Sequence, residues 1–383
     1  MPDAGAATDR SAAVAALLTG RRGTPVAVEE WRRLEPWAVA RARLDGPGGP
    51  ETVVVKWVRR FHSQTAPDEW RLRSELAALG FLAEDRGVAL APRVLAADLD
   101  AGLLILEDLA PRTALDLLLR RDGAAAHADR LAAFARACGE LGAATAGQAG
   151  AYYARRAALG PVDPAADRMG PFARLREEAR RRAAALGAPL ADRAAAELAA
   201  AHAELAEPGP FLALSNNDAQ PNNVLLHAAG PPEARLIDFE FAGFTHALRD
   251  AVWLHVPGPA WMSVGDPQGT GLADDYRRAL AEGVPEAADD LRYGPGLAAA
   301  CLDWAIIRLQ RLATLDDRPA GHPSRPQLVA TLEAAAHTAE AFRALPRLAG
   351  WARRVAALLR RRWPDADLDL ADPAAFPAFA PRR

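Results

Sequence analysis

From about residue 110 to residue 362 the chain is dominated by Ala-, Leu- and Arg-rich stretches at helical spacing, and one stretch interrupts them. Residues 216–240 read NNDAQPNNVLLHAAGPPEARLIDFE. Val224-Leu225-Leu226 and Leu236-Ile237 are apolar runs, and Gly230, Pro231 and Pro232 supply a turn between them. The local reading is loop, strand, turn, strand. Asp218 lies five residues before Asn223, and Asp238 fifteen residues after it, so carboxylates and an amide fall at the strand ends. Phosphoryl transfer needs such a set. One carboxylate orients an attacking hydroxyl and accepts its proton, while an amide and a second carboxylate hold Mg²⁺ against a triphosphate.

The cations carry a second signal. Of 46 Lys and Arg residues only Lys56 is lysine, and it sits inside an apolar strand, Thr52-Val53-Val54-Val55-Lys56-Trp57-Val58. A bias toward Arg explains a chain poor in lysine but not the mid-strand position of its only one. A lysine is a compact point charge on a flexible stem, and an arginine is a planar fork. A strand lysine that pairs with the α- and β-phosphates has a use for the point charge. The plainer alternative is an edge-strand lysine that snorkels to water.

At 383 residues the chain exceeds the usual size of a single core, so two lobes are expected. Half of the residues are apolar, a quarter are charged and the net charge is −3, which is ordinary globular composition. Arg runs such as Arg180-Arg181-Arg182 lie in amphipathic helical sequence and read as solvated faces, so no nucleic-acid surface is expected. Cys138 and Cys301 are far apart and set in apolar helical sequence, which makes neither a disulfide framework nor a zinc site. Asp3 and Asp9 and the lack of a long apolar core argue against a signal peptide. No stretch approaches the roughly 20 apolar residues of a membrane helix. A cytoplasmic protein that engages no membrane is the expected setting.

Residues 9–20 read as a short helix ended by Gly20. Residues 25–58 are β-rich, with Trp37–Leu44 leading through a Gly/Pro turn at 45–50 into the Lys56 strand. Residues 67–84 read as a helix with Pro67 at its start and Trp70, Leu72, Leu76, Leu79 and Leu82 on its apolar stripe. Glu75 lies three residues after Leu72 and four before Leu79, hence on that stripe, whereas Glu69 faces Arg73 at i+4 as a solvated pair. Glu75 is therefore the acid expected to pair with Lys56. Strands are expected at 92–98 and 102–107. Helices are expected at 112–121, 126–146, 165–187 and 189–206, then at 246–256, 270–282, 295–315 and 326–362. The tail from 364, with Pro364, Pro373, Pro377 and Pro381, reads as irregular. The last helix could be core or a dimer face, and the residues leave the oligomeric state open. The expected architecture is α+β and bilobal: a small β-rich lobe at 1–108 and a larger, mainly helical lobe at 109–383. Clefts between lobes are where nucleotide sites occur.

Strand lysine, helix glutamate, short connector and Asp…Asn…Asp, in this order, resemble the protein-kinase-like fold of small-molecule kinases. The group is that of the aminoglycoside phosphotransferases and choline/ethanolamine kinases. The resemblance spans roughly residues 25–315. That family's catalytic loop reads His-x-Asp-x-x-x-x-Asn and its metal motif Asp-Phe-Glu or a close variant. Here they read Asn216-Asn217-Asp218-Ala219-Gln220-Pro221-Asn222-Asn223 and Asp238-Phe239-Glu240-Phe241-Ala242-Gly243. The resemblance implies an enzyme that uses ATP and Mg²⁺. It makes Asp218 the catalytic base, Asn223 and Asp238 the Mg²⁺ ligands, Lys56 the contact to the α/β-phosphates and Glu75 its partner. Leu106–Leu109 match the hinge, where the carbonyl of Glu107 and the amide of Leu109 would hold adenine. Asp250 matches an aspartate that braces the catalytic loop. Asn216 replaces the family histidine, the loop at Arg33-Leu34-Glu35-Pro36 lacks glycines, and Glu240 could approach metal, a substrate amine or solvent.

The implied function is transfer of the γ-phosphate to a hydroxyl of a small molecule: an aminoglycoside, an amino alcohol such as choline or ethanolamine, or an amino sugar. Candidate acceptor-wall residues are Trp253, Trp261, Asp266, Asp274, Asp275, Tyr276, Asp303 and Trp304, since aromatics with acids could hold a cationic amine. Trp253 and Trp304 also sit at core-like spacing. The alternative is a nucleotide-binding pseudokinase acting as a scaffold, motivated by Asn216 and the glycine-poor loop. A protein kinase is disfavoured, because only a few residues separate the Asp238 motif from the Asp250 segment and leave no room for an activation segment.

Overall fold

The computed structural model describes residues 4–34, 38–58, 68–257, 270–320, 322 and 324–367. The side chains of residues 4–6, 68, 69 and 171 fall outside that description. Glu35 and Pro36 of the first loop, Pro67, Trp261, Asp266, Pro373, Pro377, Pro381 and the side chain of Glu69 lie outside the described residues. The chain forms two compact units.

The first unit takes residues 1–112, 150–162 and 235–242. Its sheet has five antiparallel strands: β1 (Ala27–Arg33), β2 (Val39–Asp45), β3 (Thr52–Trp57), β4 (Val94–Asp98) and β5 (Leu103–Glu107). Their order is β1-β2-β3-β5-β4. The alternation that makes a strand read as a strand sorts its side chains onto two faces. Val53 and Val55 of β3, Ala42 and Leu44 of β2, Ile105 of β5 and Ala96 of β4 turn to one face, where Val14 and Leu18 of helix α1 (Ala4–Arg22) close the core. Val54 and Lys56 turn to the other. Helix α2 (Asp68–Gly80) continues into a π-helical turn over Phe81–Asp85.

A helix at Ala149–Ala158 also belongs to this unit. It was not expected, being short and set between Gly147 and Gly160. Its buried residues make it a clamp. The Tyr152 ring meets Phe81 edge-on at 5.9 Å and its hydroxyl donates to the Ala242 carbonyl at 3.1 Å. Arg156 is buried, with Nε 3.4 Å from Ser74 Oγ of α2. Arg155 pairs with Glu84 and Asp85, both at 2.8 Å.

The second unit takes residues 113–149, 163–234 and 243–383 and is mostly helical. Helices Ala128–Thr145 and Leu272–Ala281 pack together at glycines. A Cβ on Gly139 would lie 2.4 Å from the Tyr276 carbonyl oxygen, so only glycine permits this approach. The expected helix over 326–362 is two helices, Ser324–Ala341 and Pro346–Arg362. Arg343 and Leu345 take positive φ angles of 53° and 48°, and Pro346 starts the second helix, where its missing N–H has no consequence. Ser324–Ala341 is buried along most of its length, so core is its role in this chain. The expected helix at 295–315 begins earlier, at Asp290. Asp289 caps it by accepting from the Leu291 N–H at 2.9 Å, and Pro295 lies inside it.

Asp303 carries the main buried charge of this unit. Arg176 Nε and Nη2 bind its two carboxylate oxygens at 2.7 and 2.8 Å, Arg249 lies at 3.4 Å and His202 at 3.3 Å. Burial opposes the charged form. The hydrogen bonds from Arg176 and His202 and the two guanidinium charges outweigh it and hold Asp303 well below the usual carboxylate range. Burial pushes both cysteine thiols up, Cys301 to about 12. Among the described residues no helix is long and apolar enough to cross a membrane.

Breaking a buried ion network from one side leaves an uncompensated charge. Asp303→Ala is expected to destabilise the protein by about 3–5 kcal/mol in urea unfolding. Asp303→Leu combined with Arg176→Met is expected to cost clearly less than either single change.

Candidate active site

In the first unit the sheet register brings Lys56 to the face that α2 covers, and the segment 235–242 returns to the same unit. The Lys56 ammonium donates to Glu75 Oε1 at 2.6 Å and to Asp238 Oδ1 at 2.8 Å. The Glu75 side chain is 3% exposed, that of Lys56 17% and that of Asp238 35%. Glu75 thus reaches Lys56 from the apolar stripe of its helix. The same Oε1 accepts from the Phe239 N–H at 3.3 Å, so one buried carboxylate ties the strand lysine to the Asp238 segment. Burial alone would lower the Lys56 pKa; the charges of Asp238 and Glu75 overcome it and raise it. Burial raises that of Glu75 against the opposing pull of Lys56.

Asp238 takes a φ of 64°, a left-handed conformation that Asp and Asn tolerate better than most side chains. Glu240 points back to α2: Arg71 Nη1 lies 3.4 Å from its Oε1, and the Arg71 guanidinium sits 4.7 Å over the Phe241 ring. Burial, with the neighbouring Asp238 charge, pushes Glu240 up to about 7.

At the end of β5 the Glu107 N–H donates to the Arg93 carbonyl at 2.9 Å, and its carboxylate accepts from Arg93 N–H and Nε at 3.1 and 3.2 Å. The Leu109 side chain is buried. Asp108, between them, drew no attention in the sequence. Arg41 of β2 binds both its carboxylate oxygens, Nε to Oδ2 at 2.7 Å and Nη2 to Oδ1 at 3.0 Å. An Arg in an alternating strand and an Asp in a connector give no signal until the register is known.

In the second unit Asp218 and Asn223 come together. Strand Leu212–Ser215 pairs antiparallel with Gly243–His246 and delivers the loop from its end. Asn223 Nδ2 donates to the Asp218 carbonyl and to its Oδ2, both at 2.9 Å, while Asn223 Oδ1 accepts from Asn222 Nδ2 at 2.7 Å. Asn216, in the place of the family histidine, is buried, and its Oδ1 accepts from the Asp218 N–H at 3.2 Å. Asn217 takes a φ of 56°. Its N–H donates to Ser215 Oγ at 2.8 Å, and Ser215 Oγ donates to buried Asp250. Asp250 thus reaches the loop through Ser215, a residue that the motif did not single out. Burial pushes Asp250 up to about 7 against the pull of the Ser215 hydroxyl and Arg249.

Several residues suggested for an acceptor wall are packing residues instead. Trp253 is buried and stacks on Phe134 with ring centroids 4.2 Å apart. Tyr276 is buried and donates to the Ala247 carbonyl at 2.8 Å. Asp303 is neutralised by Arg176 and Arg249. Asp275 pairs with Arg278 at 2.6 Å, Asp274 is exposed, and Trp304 lies with Arg308 at 5.6 Å over its ring.

The structure has an α+β, protein-kinase-like fold, with the Lys56–Glu75–Asp238 set in its first unit and the hydrogen-bonded Asp218–Asn223 loop in its second. The phosphotransferase enzyme family matches residues 40–291, more than half of the chain, and the chain belongs to that family, as a small-molecule kinase. Its sequence matches no curated protein. Among solved structures, a choline/ethanolamine kinase family protein from Mesorhizobium loti is similar at 16% identity and a TM-score of 0.44, covering 91% of this chain and 99% of its own. The choline kinase LicA from Streptococcus pneumoniae is 14% identical at a TM-score of 0.45, covering 81% and 94%. An aminoglycoside-3'-phosphotransferase of type VIII is 21% identical at 0.40, covering 79% and 98%.

The Asp250 pKa lies above its unfolded value of about 3.9. The unfolded chain therefore releases this proton as pH rises past 4, while the native chain keeps it until about 7. Wild-type stability should fall across that window relative to Asp250→Asn, whose amide oxygen still accepts from Ser215. The check is the urea midpoint of both proteins from pH 4 to pH 8; parallel curves would remove the effect of Asp250.

Proposed function

We propose that the chain transfers the γ-phosphate of ATP, with Mg²⁺, to a hydroxyl of a small molecule: an aminoglycoside, an amino alcohol such as choline or ethanolamine, or an amino sugar. The observation that carries this reading is the buried Lys56 ammonium shared by Glu75 and Asp238, joined in the sequence to the Asp218–Asn223 loop.

Asp218 orients the acceptor hydroxyl and takes its proton. The hydroxyl oxygen forms a bond to the γ-phosphorus, the bond from that phosphorus to the β,γ-bridging oxygen breaks, and ADP leaves. Lys56, positioned by Glu75, contacts the α- and β-phosphates. The carbonyl of Glu107 and the amide of Leu109 hold the base, which leaves side-chain identity there unconstrained. Asn223 and Asp238 present an amide oxygen and a carboxylate, hard donors of the kind Mg²⁺ takes. The Asn223 NH₂ is spent on Asp218, which turns its oxygen away from that contact. Among the described residues no three His, Cys, Asp or Glu side chains converge on a metal site. Oxygen donors of this kind fit Mg²⁺, and Asn223 and Asp238 are the residues that would hold it. Mg²⁺ held there would supply charge neutralisation of the phosphates. Catalysis is then mostly positioning and electrostatics.

Asn216 bears on the scaffold reading. Its amide supports the Asp218 N–H from a buried position, which favours a loop kept for turnover.

The test is γ-phosphate transfer from MgATP to pooled aminoglycosides, amino alcohols and amino sugars. Asp218→Asn is expected to lower kcat by about 10²–10⁴ while MgATP still raises the thermal midpoint. Turnover undiminished in that variant would remove Asp218 from the chemistry. A wild type that binds MgATP and transfers to none of the pools favours the scaffold.

A further inference from the structure

Directly opposed residues of an antiparallel pair share one face of the sheet. The register sets Arg41 of β2 opposite Val54 of β3, and Val54 opposite Leu106 of β5. It sets Val39 opposite Lys56, and Lys56 opposite Leu104. Arg41, Val54, Leu106 and Lys56 therefore share the face turned away from the α1 core, with Arg41 one rung nearer the end of β5 than Lys56.

The Arg41 side chain does not run out to solvent. It crosses the Val54–Leu106 rung to Asp108, the residue after β5, in a two-point contact of 2.7 and 3.0 Å. Asp108 Oδ1 also accepts from the Ala110 N–H at 3.1 Å, and its side chain is only 3% exposed. Nη2 donates a hydrogen bond to Oδ1, and Nε lies against Oδ2 as an ion-pair contact, so the guanidinium is anchored at Asp108. The Arg41 side chain is nonetheless 32% exposed, so a planar cation is anchored at its edge and open elsewhere. Beside it, half-buried Val54 supplies apolar surface, while Leu106 is buried. A weakly hydrated, planar guanidinium is suited to lie on an aromatic face.

We propose that Arg41 is a base-contacting residue whose guanidinium, anchored by Asp108, stacks on the purine of the nucleotide. The inference rests on the proposed function, which puts phosphates at Lys56 and the base at Glu107 and Leu109; the Arg41 rung lies between those points. A purely structural role, tying β2 to the end of β5, would alter stability without distinguishing a base from a phosphate chain.

The experiment is calorimetric titration of the full chain with MgATP and with magnesium tripolyphosphate, which has the phosphates and no base. Arg41→Ala is expected to weaken MgATP about tenfold and to leave tripolyphosphate within about twofold. Arg41→Lys keeps the charge and loses the plane; it should hold tripolyphosphate affinity and lose several-fold for MgATP, and it serves if the alanine variant does not fold. Equal weakening of both ligands, or MgATP affinity unchanged in both variants, overturns the stacking role. A wild type that takes tripolyphosphate but gains nothing from the base overturns it too. A wild type that binds neither ligand sinks the nucleotide reading itself.

Discussion

One ammonium group shared by two carboxylates organises the first unit. Taking Lys56 and Glu75 out of water costs several kcal/mol per ion, and the pair is tolerable only because every partner is in place. Glu75 spends one oxygen on both the ammonium and the Phe239 N–H. That bond, the Lys56–Asp238 pair, the Leu236 N–H to Leu90 carbonyl bond at 2.7 Å and the Tyr152 hydroxyl on Ala242 recruit residues 235–242 to a unit whose other strands end at residue 107. The segment is covalently remote from the sheet and is held to it by polar contacts. Three acids, Glu75, Asp238 and Glu240, face two cations, Lys56 and Arg71. Burial, and after it the Asp238 charge, push Glu240 up in this acid-rich setting.

Where a local pattern determines a structure, the sequence was readable. Alternation gave the strands around Lys56, and the apolar stripe of α2 selected Glu75, because both periodicities are imposed by buried faces. The polar block at 216–240 announced its residues because Asp and Asn have little reason to cluster between apolar runs unless a turn or a reaction needs them. What escaped depended on contacts distant in sequence. Arg41 and Asp108 meet across a strand. Ser215 carries the link from Asp250 only because strand Gly243–His246 pairs with Leu212–Ser215. The helix at Ala149–Ala158 draws its stability from Tyr152 and Arg156 docking on residues elsewhere in its unit, and a ten-residue helix is marginal on propensity alone. One miss had a visible signal: Pro346 stands inside the expected long helix, and a proline in that position ends the helix before it.

The acceptor residues show the same limit from the other side. Trp253 and Tyr276 looked like an aromatic wall, yet each ring is buried by neighbours on facing helices, and Gly139 exists to let those helices close. Asp303 looked like a free acid for a cationic amine, yet two guanidiniums already match its charge. A buried acid with paired arginines and an acid awaiting a substrate amine have the same sequence signature, because composition records residue type and not electrostatic satisfaction. The cationic character of any acceptor therefore finds no support in Asp303.

The two parts of the proposed machinery are built on different physics. Lys56, Glu75 and Asp238 are held by charges around the buried Glu75 carboxylate, where losing a partner leaves an uncompensated charge. Among the contacts of the Asp218 loop are neutral ones: an amide oxygen on the Asp218 N–H and a serine hydroxyl on the Asn217 N–H. Asn216 belongs to this division: a histidine there could itself become charged near neutral pH, whereas an amide offers the same hydrogen-bond acceptor at every pH.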